Sequence, residues 1–502
     1  MQPNTQIATT RRRKPSSPQA VGIIALLIAI QACGSGVVVE GDSWSEDAYL
    51  ASDSTTVSDV SDVSDVAGGK DILEDARATA DTGMLDAAVA DVFDAGGDIG
   101  QPIEVPFENL PAVYGHGQIH SPITPFVAAN LRAIAGQNPE LNDDVFAKVG
   151  ASNTVNTNFI QCFSDPERVD LDGRDGLEQT IAHFRAGLAG ATDPYVRTSL
   201  AATVGWSAGA ALSGSPSPLA RELAEISPRY ALVMFGTNDI GRRNIFEYGA
   251  NLLTIADVLI ANGTIPVFTS IPSRGDSAEA DAAVPRYNAV QRAVAQARQV
   301  PFINTWQEWL DIPARGLISD GVHLNTYQRG CILTEAGLGF GHNIRNLRTI
   351  ELLDRLRQVL DEAAAPDAPT EPVHGDGSRS DPFLITSLPF VDARDTSLGG
   401  RGVIDRYTGC NATQDESGKE FIYRFVTDRT VRIRALIIDR APADIDLHLL
   451  DHSATAEGCI ERNHREIVRE LAAGTYHFSL DTFVSAGGTV HSGEYLFLLL
   501  ED

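Results

Sequence analysis

The apolar positions divide this chain of 502 residues into stretches of different period. Residues 21–30 are an unbroken apolar run that follows Arg11-Arg12-Arg13-Lys14. From there to about residue 104, apolar residues are scattered among Asp, Ser, Ala and Gly, and Val-Ser-Asp repeats over residues 57–66. Between 105 and 362, short apolar runs alternate with segments of helical spacing. Residues 144–149, 230–235, 264–269 and 300–304 read as buried strands, the second ending at Gly236. Leu177, Ile181, Phe184 and Leu188 share one helical face. Leu252, Ile255, Leu259 and Ile260 share another, closed by Asn262-Gly263 as a C-cap. Further helices are expected around Val290 and Val294, and over Leu347, Ile350, Leu353, Leu356 and Leu360. This alternation predicts an α/β fold, a three-layer α/β/α parallel sheet whose chemistry lies beyond the carboxyl ends of its strands. After Pro366, Pro369 and Pro372 the period becomes two: Phe421, Tyr423 and Phe425; Val431, Ile433, Ala435 and Ile437; Tyr476, Phe478 and Leu480. A second, smaller all-β sandwich is expected there. The boundaries that follow are 1–33, 34–104, 105–362, a linker at 363–380, and 381–502.

Composition sharpens this division. The formal net charge is -28, from 67 acidic and 39 basic residues. Residues 41–100 alone hold 15 acidic residues against two basic ones, a local −13. Such a surface repels phosphates, so no nucleic-acid partner is expected. The tract is too poor in apolar residues to offset its ordering entropy and is expected to be a disordered acidic spacer. A basic stretch followed by a short apolar core is the pattern of a secretory signal, and no apolar run reaches the 18 residues of a membrane span. Gln31-Ala32-Cys33-Gly34 resembles the lipobox of bacterial lipoproteins. That resemblance implies an exported chain, acylated on Cys33 and anchored to the cell envelope. Gly34 carries no acidic retention signal, which favours the outer membrane.

Four segments at expected strand ends carry residues able to do chemistry. They are Gly150-Ala151-Ser152, Gly205-Trp206-Ser207-Ala208-Gly209, Gly236-Thr237-Asn238-Asp239 and Asp320-Gly321-Val322-His323. A serine hydroxyl becomes a nucleophile when an imidazole takes its proton, and a carboxylate on the other ring nitrogen fixes the tautomer. Asp-x-x-His can supply base and carboxylate from one turn. The set resembles the four blocks of the SGNH (GDSL-type) serine hydrolases, esterases and lipases with a flavodoxin-like sheet. The resemblance implies Ser152 as nucleophile, His323 as general base and Asp320 as the acid that orients it. It also implies Ser152 N–H, Gly209 N–H and the Asn238 amide as oxyanion donors. One departure stands out, because the family's first block is Gly-Asp-Ser and here Ala151 replaces the Asp that holds the turn. The expected activity is hydrolysis of an acyl ester through an acyl-enzyme, with short acyl groups on carbohydrate favoured, and no cofactor or metal is called for. A catalytically weak or inactive surface binding protein using the same cleft, and an acyltransferase to a glycan, stand as alternatives.

Other motifs read more plainly. His116 and His120 precede the first strand in a loop, either lining the site or lying on the surface. His183 falls within a helix pattern as a structural residue. The segment 170–176 resembles a calcium loop but places Arg174 where a ligand is needed, and reads as a turn. In the tail, Asp444-Ile445-Asp446-Leu447-His448-Leu449 and Ala473-Gly474-Thr475-Tyr476 resemble bacterial pre-peptidase C-terminal modules. There Asp444 and Asp446 read as a charged strand edge, with calcium binding as the other reading. The five cysteines form no Cys-x-x-Cys pair, against a zinc ribbon or thioredoxin site. In an exported chain Cys410 and Cys459 are expected to be bonded. For Cys162 and Cys331, a bond beside the site and two buried thiols both remain open.

Overall fold

The computed structural model describes residues 106–502. The signal, Cys33 and the acidic spacer expected in residues 1–105 lie outside the described residues. The α/β part runs α1 (Pro125–Gln137), β1 (Asn142–Gly150), α2 (Ser152–Val155), α3 (Glu178–Ala186), α4 (Pro218–Ile226), β2 (Pro228–Met234), α5 (Thr237–Arg242), α6 (Ile245–Ala261), β3 (Ile265–Thr269), α7 (Ala278–Ala297), β4 (Phe302–Ile303), α8 (Thr305–Trp309) and α9 (Gly341–Leu360). The strands form one sheet in the order β1-β2-β3-β4, every pair parallel. All residues of β2 and β3 are buried, as a sheet covered by helices on both faces requires.

A fifth strand position survives as a single parallel bridge between Gly150 and Ala202, on the free side of β1. Its ladder is two hydrogen bonds, Gly150 N–H to Ala201 O and Thr203 N–H to Gly150 O, each 3.2 Å. With it the strands follow chain order 2-1-3-4-5, the flavodoxin-like arrangement. Nothing in the period of residues 200–204 marks this strand, because it is one residue long.

Leu188 departs from its expected helical role. Helix α3 ends at Ala186, and Leu188 is 67% exposed. Gly187 ends the helix where it lies against the Asp144 carbonyl, leaving no room for a side chain. The other three residues of that face, Leu177, Ile181 and Phe184, are buried as expected.

The tail contains β5 (Phe383–Ile385), β6 (Phe390–Asp395), β7 (Glu420–Thr427), β8 (Val431–Asp439), β9 (Ile445–Leu450), β10 (Cys459–Asn463), β11 (Glu466–Leu471), β12 (Gly474–Thr482) and β13 (Glu494–Glu501). One sheet runs β10-β9-β12-β7-β5 and the other β11-β8-β13-β6. All pairs are antiparallel except β5 with β7. The inner faces make a core from residues such as Tyr423, Ile433, Ile437, Phe478, Tyr495, Phe497 and Leu499.

The outer face of the second sheet is buried too. Val391, Leu436, Ile438, Leu496, Leu498 and Leu500 belong to the same apolar cluster as the α/β core, beside α6 and α7. Around this junction Arg298 binds Asp257 and Glu494, and Arg440 reaches Asp257 (2.7 Å) and Glu494 (3.2 Å). The intervening chain is tied down as well. Asp367 accepts Ile123 N–H at 2.7 Å, and Thr370 Oγ1 accepts Val113 N–H at 2.8 Å.

Candidate functional site

The turn after β1 is dictated by close packing. At Gly150 a Cβ would stand 2.7 Å from the Met234 carbonyl oxygen on β2, so a side chain there would push the strands apart. The Ala151 carbonyl then accepts the N–H groups of Thr154 (2.8 Å) and Val155 (3.0 Å), which winds the single turn α2. Ser152 occupies its first position, where a backbone N–H has no partner within the helix.

His323 comes from a loop 171 residues further on. Asp320 Oδ1 accepts the N–H groups of Val322 (2.8 Å) and His323 (3.0 Å), folding the chain back on itself. Gly321 makes this turn at φ +72°, with Asp276 N only 2.5 Å from where a Cβ would lie. Asp320 Oδ2 is thereby left for His323 Nδ1, 2.6 Å away. His323 Nε2 lies 2.9 Å from Ser152 Oγ. With Nδ1–H donated to the carboxylate, Nε2 carries the lone pair that can accept the serine proton. Burial pushes the Asp320 carboxyl up. The hydrogen bonds from the His323 ring and from the His323 and Val322 N–H groups outweigh it and hold the group below its ordinary range.

Asn153, a residue the sequence reading passed over, joins the two turns. Its Oδ1 accepts Leu324 N–H at 3.1 Å. Its one signal in the sequence is adjacency to Ser152.

Asn238 and Gly209 stand on neighbouring loops that are stitched together. Asn238 Nδ2 donates to the Trp206 carbonyl at 2.9 Å and has a second amide hydrogen left over. The buried Asp239 carboxylate accepts Ala208 N–H (2.9 Å) and Gly236 N–H (3.0 Å). Burial raises its pKa to about 6 against the pull of those two bonds. A Cβ on Gly209 would meet Asn251 Nδ2 at 2.9 Å, so its small size also suits the packing against α6. Among the described residues neither Asn238 nor Gly209 is hydrogen-bonded to Ser152. Beside Ser152 lies a shallow hollow no larger than a water molecule, lined by Ser152, Asn153, Met234, Phe235 and Thr237 among others.

The remaining candidates lie elsewhere. His120 gives its Nε2 to the Arg348 carbonyl (2.9 Å), and the His116 carbonyl accepts from Asn304 (2.7 Å). His183 sits on α3 with Nε2 3.2 Å from the Asp143 carbonyl. Residues 170–176 turn through left-handed Asp172 and Gly173. In the sandwich, His464 Nδ1 is 3.1 Å from both Asp444 Oδ1 and Asp446 Oδ1, with Arg462 also bound to Asp446. Both disulfides are formed, Cys162–Cys331 and Cys410–Cys459. The first joins the chain just after Ser152 to the chain just after His323.

Residues 169–327 match the GDSL-like Lipase/Acylhydrolase family. The matched stretch contains Gly209, Asn238, Asp320 and His323 and begins after Ser152. Among solved structures, a GDSL-like lipase from Bacteroides thetaiotaomicron is similar at 16% identity, over 45% of this chain and 98% of that one, with a TM-score of 0.28. An acetylxylan esterase from Geobacillus stearothermophilus is similar at 14% identity, over 41% and 93%, with a TM-score of 0.27. The tail is similar to the pre-peptidase C-terminal domain of a Bacillus anthracis collagenase at 12% identity, over 23% and 91%, with a TM-score of 0.16. No curated protein matches the chain.

Proposed function

With a GDSL-like lipase/acylhydrolase domain in its α/β part, we propose that this protein is a serine esterase. The observation that carries this reading is the unbroken line from Ser152 Oγ to His323 Nε2 and from His323 Nδ1 to Asp320 Oδ2. Ser152 attacks the ester carbonyl as its proton passes to His323. The imidazolium, stabilised by Asp320, returns that proton to the departing alcohol. His323 then activates a water that hydrolyses the acyl-enzyme. The negative oxygen of each tetrahedral intermediate is met by Ser152 N–H, Gly209 N–H and the Asn238 amide.

An acylated saccharide carrying a short acyl group is the substrate class proposed. A panel of p-nitrophenyl esters of rising chain length, run beside acetylated xylan, tests this. Turnover should be greatest with the shortest acyl chains and should fall by at least about 10³ in Ser152→Ala. Equal turnover in that variant would end the proposal. Adding a sugar acceptor separates hydrolysis from acyl transfer, since only a transferase gains a new sugar ester.

We further infer export and anchoring through Cys33, from the sequence of residues 11–34 alone. A Cys33→Ser variant should leave the membrane fraction. Retention there would contradict the anchor.

A further inference from the structure

The serine turn rests on an uncompensated buried cation. Arg345, on the second turn of α9, is 1% exposed, and no carboxylate lies within 4 Å of it among the described residues. Its Nη1 donates to the Asn153 carbonyl at 2.6 Å and its Nη2 to Thr154 Oγ1 at 3.2 Å. The guanidinium lies 3.6 Å over the Phe159 ring, and its Nε has no hydrogen-bond partner. Burial lowers its pKa to about 9, which leaves it charged at neutral pH. A buried charge without a partner is costly, and such positions concentrate at functional sites.

Both acceptors belong to α2, the turn that Ser152 begins. Ala151 offers that turn no side-chain acceptor. The next residue on α9, Asn346, is fully buried and works in parallel. Its Nδ2 donates to the carbonyls of Asn158 (2.8 Å) and Gly330 (3.0 Å), and its Oδ1 accepts Ile160 N–H (2.9 Å). It thus binds chain that follows Ser152 to chain that follows His323.

We propose that Arg345 is the positioning residue of the serine turn, holding Ser152 Oγ in line with His323 Nε2 through Asn153 and Thr154. It acts through Ser152 and does not touch substrate, and it rests on the esterase reading above. Arg292 is the natural control. It too is buried without an acid, and its donors go to the carbonyls of Tyr114 (2.7 Å) and Pro389 (2.8 Å), by the sandwich junction.

The test is p-nitrophenyl acetate turnover expressed per mole of folded protein. Arg345→Gln should lower kcat about 100-fold with KM unchanged, the effect of a misplacement near 1 Å. Arg345→Lys should recover about tenfold of that loss, because one charged donor remains. Arg292→Gln should lower the melting temperature and leave kcat per folded molecule unchanged. A wild-type kcat in Arg345→Gln overturns the proposal. So does a wild-type kcat in Arg345→Lys where the glutamine variant fails to fold. If the wild-type protein hydrolyses no ester, the esterase reading falls, and crystal structures of the folded Arg345 variant still decide this one. The Ser152 Oγ–His323 Nε2 distance of 2.9 Å should open beyond hydrogen-bonding reach, and an unchanged distance refutes the role.

Discussion

Strands β2 and β13 are both continuous apolar runs buried along nearly their whole length, yet they are buried by different things. β2 lies inside a sheet covered by helices of its own α/β part. In β13, Tyr495, Phe497 and Leu499 face the sandwich core, while Leu496, Leu498 and Leu500 face the α/β core. A strand with one wet face alternates; one with two dry faces does not. The unbroken run in the tail therefore records the docking of the sandwich against α6 and α7. The sandwich is a distinct pair of sheets whose outer face completes the core of the α/β part.

The two disulfides separate the α/β part from the sandwich most strongly. Removing Cys162–Cys331 should cost about 5 kcal/mol, and removing Cys410–Cys459 about 4 kcal/mol, because the first closes the longer loop of chain. They should differ more in function. Loss of Cys162–Cys331 loosens both loops that meet at Ser152 and His323 and should lower turnover in the folded fraction. Loss of Cys410–Cys459 should leave turnover per folded molecule unchanged. Urea titrations with activity read at each point measure both quantities, and equal effects on turnover would erase the distinction.

Next in size are Leu498→Ala and Leu499→Ala, neighbours on opposite faces of β13. Each should cost about 2–5 kcal/mol as a large-to-small change in a packed core. If the junction is continuous core, tertiary probes in both parts should unfold together in both variants. Separate transitions in Leu498→Ala would show that the two parts are stable apart.

The smallest effect is on acid stability, and it should be shared equally. Burial lowers the pKa of His342 on α9 and of His448 on β9 to about 3 each. The unfolded chain takes up these protons near pH 6.5 while the fold refuses them. Each histidine thus contributes stability that is intact above pH 6.5 and is lost as the pH falls toward 3. Between pH 7 and pH 5 that is about 2 kcal/mol per residue. His448→Phe, which keeps a ring to stack on Tyr407, should remove one such share in urea melts at the two pH values. An unchanged pH dependence would mean that His448 is not neutral in the fold.

The four principal strands were legible because local rules set them, as apolar runs ended by turn residues. Gly150-Ala151-Ser152 and Gly236-Thr237-Asn238-Asp239 stand directly at the ends of β1 and β2, whereas Asp320 and His323 lie in a loop well beyond β4. What escaped the sequence was set by distant packing. The edge strand at Ala202 has no period to reveal it. Leu188 continues a helical spacing that the close approach of Gly187 to β1 cuts short. Arg345 and Asn346 look like the wet face of an amphipathic helix, next to Leu347 and Ile350. Helix α9 is buried on that side as well, so Arg345 and Asn346 bind the loops that follow Ser152 and His323. Ala151 shows the same limit. The small side chain at 151 is visible in the sequence, whereas the hold on the turn by Arg345, from nearly two hundred residues away, is not.

If Ser152 is the nucleophile that His323 activates, it should be open to covalent trapping. A fluorophosphonate probe followed by peptide mass spectrometry should place one label per chain on Ser152, with labelling abolished in His323→Ala. A folded wild-type protein that stays unlabelled, or one that labels equally well without His323, would contradict the account.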